Sequence, residues 1–141
     1  MYRILDCTAG YKSMWFNKNE PGVIFMDLIP KMKDVLDGDF RNMKFKNNHF
    51  DMVVMDPPHL TENYIGSGKI AEQYGYLFPT WRSDLKAGLS EAYRVVKKDG
   101  IIVFKWSDRQ IHHNEILDLI NFRPMFGHRT SKNTVWLIFK K

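Results

Sequence analysis

The feature that most constrains this chain is a pair of prolines closing an apolar run. Met52–Met55, preceded by Phe50 and Asp51, is a stretch of β-favouring residues and reads as a buried strand. Neither Pro57 nor Pro58 has a backbone N–H to donate to a sheet ladder, so the strand must stop there. Asp56 and His59 therefore stand beside a rigid corner at the carboxyl end of a strand. In an open α/β sheet, ligands bind at that edge. The corner suits a planar amino group. A carboxylate accepts one N–H, a proline carbonyl accepts the other without flexing, and a flat side chain after the prolines can stack on the ring.

The string Asp56-Pro57-Pro58-His59 resembles the D-P-P-(Tyr/Phe/Trp) motif of the amino-methyltransferases, which methylate exocyclic amines of adenine or cytosine. His59 departs from the usual aromatic residue; imidazole is planar and stacks with less area. The resemblance implies that Asp56, Pro57, Pro58 and His59 are the catalytic residues. The same corner with Asn in place of Asp serves protein-glutamine methylation, so a protein acceptor stays open.

Upstream, Tyr2–Leu5 reads as a first strand ending at Asp6. Cys7-Thr8-Ala9-Gly10 follows as a tight small-residue turn, and Tyr11–Asn17 as a short helix. This segment resembles the D-x-F-x-G-x-G motif that binds S-adenosylmethionine in class I methyltransferases, with Thr8 for the Phe and Lys12 for the second Gly. Cys7 reads as a small packing residue. A second strand, Val23–Met26, ends at Asp27, where a carboxylate can accept hydrogen bonds from both hydroxyls of a ribose. Leu28–Leu36, with Pro30 in its first turn, reads as a short helix. Within the resemblance, Asp39 matches the acid near the cofactor's adenine, and Phe40 contacts that ring. The cofactor-binding set so implied is Asp6, Thr8, Ala9, Gly10, Asp27, Leu28, Asp39, Phe40 and Asp56.

Leu60–Pro79, with Tyr64, Tyr74 and Tyr76, lacks clear periodicity and reads as a mobile loop or broken helix over the site. Its Gly66-Ser67-Gly68-Lys69 lacks the spacing of a phosphate loop. Apolar residues at helical spacing predict a helix over Trp81–Val96, and Lys97-Lys98-Asp99-Gly100 a helix stop and turn. Ile101–Trp106 reads as a buried strand that brings Trp106, Ser107 and Asp108 to the same sheet edge as Asp56. His112 and His113 are adjacent and cannot share a helix face as a metal pair would, so they read as surface or capping residues. Ile111–Ile120 reads as a helix, and Phe122–Gly127 and Thr134–Phe139 as two last strands. Between these strands lies the basic polar loop His128–Asn133. It could touch phosphates if the sixth strand runs parallel to the others, or be a plain hairpin turn.

The 141 residues fit one domain over 1–141 with a proper core. A lone cysteine excludes an internal disulfide and suits a reducing cytoplasm. There is no signal-peptide layout and no apolar run of membrane-spanning length, so no membrane partner is expected. The net charge of +5 falls entirely in the second half: residues 1–70 carry nine basic and nine acidic residues, residues 71–141 twelve and seven. A basic half can attract nucleic acid, or be a solvated surface.

The fold that the resemblance to class I methyltransferases implies is α/β: a three-layer sandwich with a Rossmann-like seven-stranded mixed sheet, order 3-2-1-4-5-7-6, ending in an antiparallel hairpin. The expected activity is methyl transfer from S-adenosylmethionine to an exocyclic amine, with adenine in DNA or RNA foremost. A partner protein could supply target recognition, because no stretch is long enough for a separate recognition region. The resemblance also leads us to expect that the motif preceding the first strand in class I methyltransferases, which helps hold the cofactor's methionine end, is missing here. Either this is a minimal enzyme with a partner, or its target is small or structured, such as an RNA. The alternatives are a noncatalytic binding module of the same fold, to which Lys12 and His59 point, and a methyltransferase for a protein or small molecule. A nicotinamide-dependent oxidoreductase is disfavoured by the lone Gly10 and by the proline corner.

Overall fold

A computed structural model of the chain describes residues 1–61, 75 and 77–141. The elements are β1 (Ile4–Asp6), β2 (Val23–Asp27), β3 (Leu36–Asp37), β4 (Phe50–Met55), α1 (Trp81–Val95), β5 (Val96–Ser107), α2 (His113–Leu117), β6 (Phe126–Arg129) and β7 (Thr134–Lys140). They form one seven-stranded sheet in the order β3-β2-β1-β4-β5-β7-β6, as expected. The first five strands run parallel, and β7 is antiparallel to both β5 and β6. The strand order reverses beside β1 and β4, and their carboxyl ends carry the Gly10 turn and the proline corner.

Period-two alternation divides the strands between two cores. Leu5, Val53, Met55, Ile102, Phe104, Trp106, Leu137 and Phe139 share one core with Trp81, Leu85, Leu89, Ala92 and Val95 of α1 and with Ile116 of α2. In β2, Met26 belongs to that core, while its neighbour Phe25 joins Ala9 and Val35 in a smaller cluster flanked by Trp15 and Met32. No helix among the described residues is long and apolar enough to cross a membrane.

Two expected helices are absent. Residues 11–17 form turns, with Lys12 in the left-handed region at φ 55° and the Trp15 N–H donating to the Lys12 carbonyl at 3.1 Å. A left-handed residue cannot continue a right-handed helix. Residues 28–35 are likewise turns, and Leu36 belongs to β3. That segment is too short, with Pro30 inside it, to nucleate a helix in place of packing Val35 and Met32 on Phe25. The layer on the β1–β2–β3 side is therefore irregular chain.

Other boundaries move for local reasons. β6 begins at Phe126, after Pro124, which has no N–H for the ladder. α2 is only His113–Leu117, and its first turn is capped by His112, whose Nδ1 accepts from the Asn114 N–H at 3.2 Å. β5 starts directly after α1, and the expected turn at 97–100 is a jog inside the strand: the register with β4 breaks between Phe50 and Met52, and Asp99 takes φ 64°. Most of the expected lid, including the Gly66–Lys69 string and Tyr64, Tyr74 and Tyr76, lies outside the described residues. Its two ends meet where Thr61 bridges Leu77.

Gly88 sits in α1 where a Cβ would come within 2.4 and 2.6 Å of two ring carbons of Phe40. Alanine is the better helix former by about 1 kcal/mol, but overpacking of this kind costs about 1–3 kcal/mol. Gly88→Ala should therefore lower the unfolding free energy in urea by up to about 2 kcal/mol. A variant as stable as the wild type would show that the Phe40 ring moves aside freely.

Candidate active site

A cavity of about 760 Å³ opens at the carboxyl ends of the parallel strands. Asp6, Thr8, Ala9, Gly10, Asp27, Leu28, Phe40, Asp56, Pro57, Pro58 and His59 all line it. The turn, the second acid and the proline corner, far apart in the chain, thus surround one space.

On the β1–β2 side, Gly10 takes φ 51°, a conformation for which glycine has no steric penalty. Its N–H donates to Asp27 Oδ2 at 2.8 Å, and the Ile29 N–H donates to Asp27 Oδ1 at 3.0 Å. Two backbone donors thus orient the carboxylate, whose remaining lone pairs can accept from hydroxyls. Lys12 takes a left-handed backbone, φ 55°. Its side chain is fully buried: Nζ donates to Asp34 and, at 2.9 Å, to the Lys18 carbonyl, and lies 4.0 Å from the centre of the Phe25 ring. Lys12 is not among the lining residues, so it does not obstruct the cavity.

Asp6 is 1% exposed. Its Oδ2 accepts from the Trp15 indole at 2.7 Å and its Oδ1 from the Thr8 N–H at 3.2 Å. Burial outweighs these bonds and pushes the carboxyl up to about 6. Between roughly pH 4 and 6 the folded chain then holds a proton that the unfolded chain has lost, so this group's contribution falls as pH rises. From pH 4 to pH 7 the unfolding free energy of wild type should fall relative to Asp6→Asn by about 2–3 kcal/mol. A pH-independent difference in denaturant titrations would refute this. Cys7 is buried, its thiol is pushed up by burial, and its Sγ donates to the Val54 carbonyl at 3.3 Å, which is a packing role.

Thr8 links two parts of the site. Its Oγ1 accepts the Asp56 N–H at 2.6 Å and fastens the β1 turn to the proline corner, which a phenylalanine could not do. Asp56 Oδ2 accepts from Lys105 Nζ at 3.0 Å. Burial raises the Asp56 carboxyl and Lys105 opposes that rise. His59 is held below the ordinary histidine range, chiefly by burial, and its ring meets Trp106 edge-on at 6.4 Å.

Asp39 lies outside the cavity lining. Its carboxylate takes a fork of bonds from Arg41 Nε and Nη2 at 2.7–3.1 Å, and Arg41 Nη1 reaches Asp84 at 3.2 Å. Phe40, Arg41 and Asp84 line the cavity instead. Trp106 and Ser107 reach the site, whereas Asp108 accepts from Arg129 Nη2 at 2.6 Å and from His113 Nδ1 at 3.0 Å. The hairpin tip arrives at the same edge, because β6 runs parallel to the first five strands. Ser131, Asn133 and Thr134 line the cavity, and the Asp108 N–H donates to the Asn133 carbonyl at 2.8 Å. Sequence reasoning missed Lys105 and Arg41. For Lys105, its place just before Trp106 on the strand expected beside the catalytic one was the available signal.

No family model matches this sequence, and no curated protein sequence matches it. Solved structures do resemble it. A protein from Pyrococcus horikoshii OT3 superposes with a TM-score of 0.70 at 13% identity, covering 99% of this chain and 81% of that one. A SAM-dependent methyltransferase from Leishmania major gives 0.64 at 14% identity, covering 99% of this chain and 64% of its own. A SAM-dependent methyltransferase from Thermotoga maritima, described as a possible histamine N-methyltransferase, gives 0.60 at 16% identity, covering all of this chain and 83% of that one. The fold is that of the class I methyltransferases. The cavity described above lies at the switch point of that fold's sheet.

Proposed function

We propose that this chain transfers a methyl group from S-adenosylmethionine to an exocyclic amine, with adenine in DNA or RNA as the foremost acceptor. The observation that carries the reading is the meeting, in one cavity, of the Gly10 turn, Asp27 and the Asp56–His59 corner. Gly10 and Ala9 would pass under the methionine part of the cofactor, Asp27 would accept from its ribose hydroxyls, and Phe40 with Leu28 would hold its adenine. When bound, the cofactor supplies a methyl group on a positively charged sulfur.

The acceptor amine is a weak nucleophile because its lone pair is delocalised into the ring. Asp56 and the Pro57 carbonyl, each accepting one of its N–H groups, return electron density to nitrogen and aim the lone pair. On taking up the methyl group that the bound cofactor would supply, the nitrogen would shed a proton to Asp56 or to water. Neutral His59 can stack on the acceptor ring without adding charge beside an incoming cationic sulfur. A base in a duplex must be flipped out to reach this corner. The basic half of the chain supplies Arg109 at the cavity and Lys132 at the hairpin tip for a phosphate backbone.

The noncatalytic alternative loses one of its two supports, since Lys12 faces away from the cavity. The test is calorimetric titration with S-adenosylmethionine, followed by transfer of labelled methyl to single-stranded DNA and RNA. Saturable binding with label recovered as a methylated exocyclic amine is the expected result. Absence of cofactor binding up to millimolar concentration would refute the reading.

A further inference from the structure

Parallel register pairs Met55 of β4 with Phe104 of β5. The next residue on each strand is therefore Asp56 beside Lys105. The two side chains form an ion pair, Lys105 Nζ to Asp56 Oδ2 at 3.0 Å, and both line the cavity, neither being more than about a third exposed. Asp56 is fixed at its backbone as well, because its N–H donates to Thr8 Oγ1. Among the described residues no donor reaches Asp56 Oδ1. The corner thus offers an incoming ligand a hydrogen-bond acceptor, Oδ1, directly beside a donor, Nζ.

We infer that Lys105 is a specificity-determining residue that reads the ring nitrogen next to the acceptor amine. An aminated aza-aromatic such as adenine or cytosine presents an N–H donor beside a ring-nitrogen acceptor, the complement of an acceptor–donor pair. The amine donates to Asp56 Oδ1, and the neighbouring ring nitrogen accepts from Lys105 Nζ, which has three donors and uses one on Asp56. The carboxylate is common to any amine acceptor. The lysine adds a demand that aliphatic amines, anilines and side-chain amides cannot meet, because none carries a ring nitrogen at that place. The ion pair also limits how far Lys105 can stray, so the donor is held ready before the ligand arrives.

This inference rests on the proposed amine transfer and narrows its substrate class. The test compares methyl transfer to single-stranded oligonucleotides carrying adenine or 1-deazaadenine, and cytosine or 3-deazacytosine, by wild type, Lys105→Met and Lys105→Arg. Removing the ring nitrogen also changes the amine's own reactivity, so the informative quantity is each variant's preference relative to wild type. The wild type should prefer the natural base roughly 10- to 100-fold beyond the preference of Lys105→Met, as one charge-assisted hydrogen bond allows. Lys105→Arg, which keeps a donor, should retain most of that preference. All three proteins should bind S-adenosylmethionine with the same affinity, which also reports on folding. Equal preferences in wild type and Lys105→Met would overturn the inference while leaving amine transfer standing. If wild type methylates neither base, the proposed function fails and this inference with it.

Discussion

Replacing Asp56 by alanine should lower methyl transfer about 10²- to 10³-fold, the usual cost of deleting one preorganised hydrogen-bonding group at a reacting centre. Binding of S-adenosylmethionine should change little. In the proposed complex the carboxylate faces the acceptor, and the Asp56 backbone N–H keeps its bond to Thr8 whatever the side chain. The substitution also strips Lys105 of its partner and leaves a cation where the amine must dock. Asp56→Asn retains one carbonyl acceptor and should lose less. Single-turnover rates at saturating cofactor, with cofactor affinity measured beside them, check this. An alanine variant with wild-type turnover would remove the proline corner from the chemistry.

Asp27→Ala should show the opposite split. In the proposed complex this carboxylate accepts from two ribose hydroxyls, and hydrogen bonds to a charged group contribute about 1.5–3 kcal/mol each. Part of that is offset because the Gly10 and Ile29 N–H groups, which now hold the carboxylate, are freed to donate to the ribose oxygens instead. Cofactor affinity should fall about 30- to 300-fold by calorimetry. Turnover at saturating cofactor should stay within a few-fold of wild type, because in the proposed complex Asp27 holds the ribose and not the reacting groups. Unchanged affinity would place the ribose elsewhere in the cavity.

Much of the fold was legible because its signals are local. Apolar runs ending in Asp6, Asp27 and Asp56 marked three strands, and the resemblance to class I methyltransferases implied that they run parallel. The paired prolines stopped β4 by removing donors, a property that needs no tertiary context. Helix α1 was legible from its apolar spacing, and its observed end at Val95 lies one residue from the expected end. The helices expected over 11–17 and 28–36 failed because short segments follow the cluster they pack into. Burial of Lys12, Trp15 and Val35 around Phe25 decided their conformation.

By itself, the sequence determined where strands end, which carboxylates stand at those ends, and that a rigid corner follows the fourth. These depend on dihedral limits and donors carried by individual residues. Only the tertiary structure decided who meets whom across the sheet. Thr8 reaches Asp56 because β1 and β4 pair Asp6 with Val54, two residues earlier on each strand. Lys105 meets Asp56 because β4 and β5 pair Met55 with Phe104. Asp39 turns to Arg41 and Lys12 turns away from the cavity because each found a nearer partner. Register is set by packing over the whole sheet, and a shift of one residue would place a different side chain beside the carboxylate.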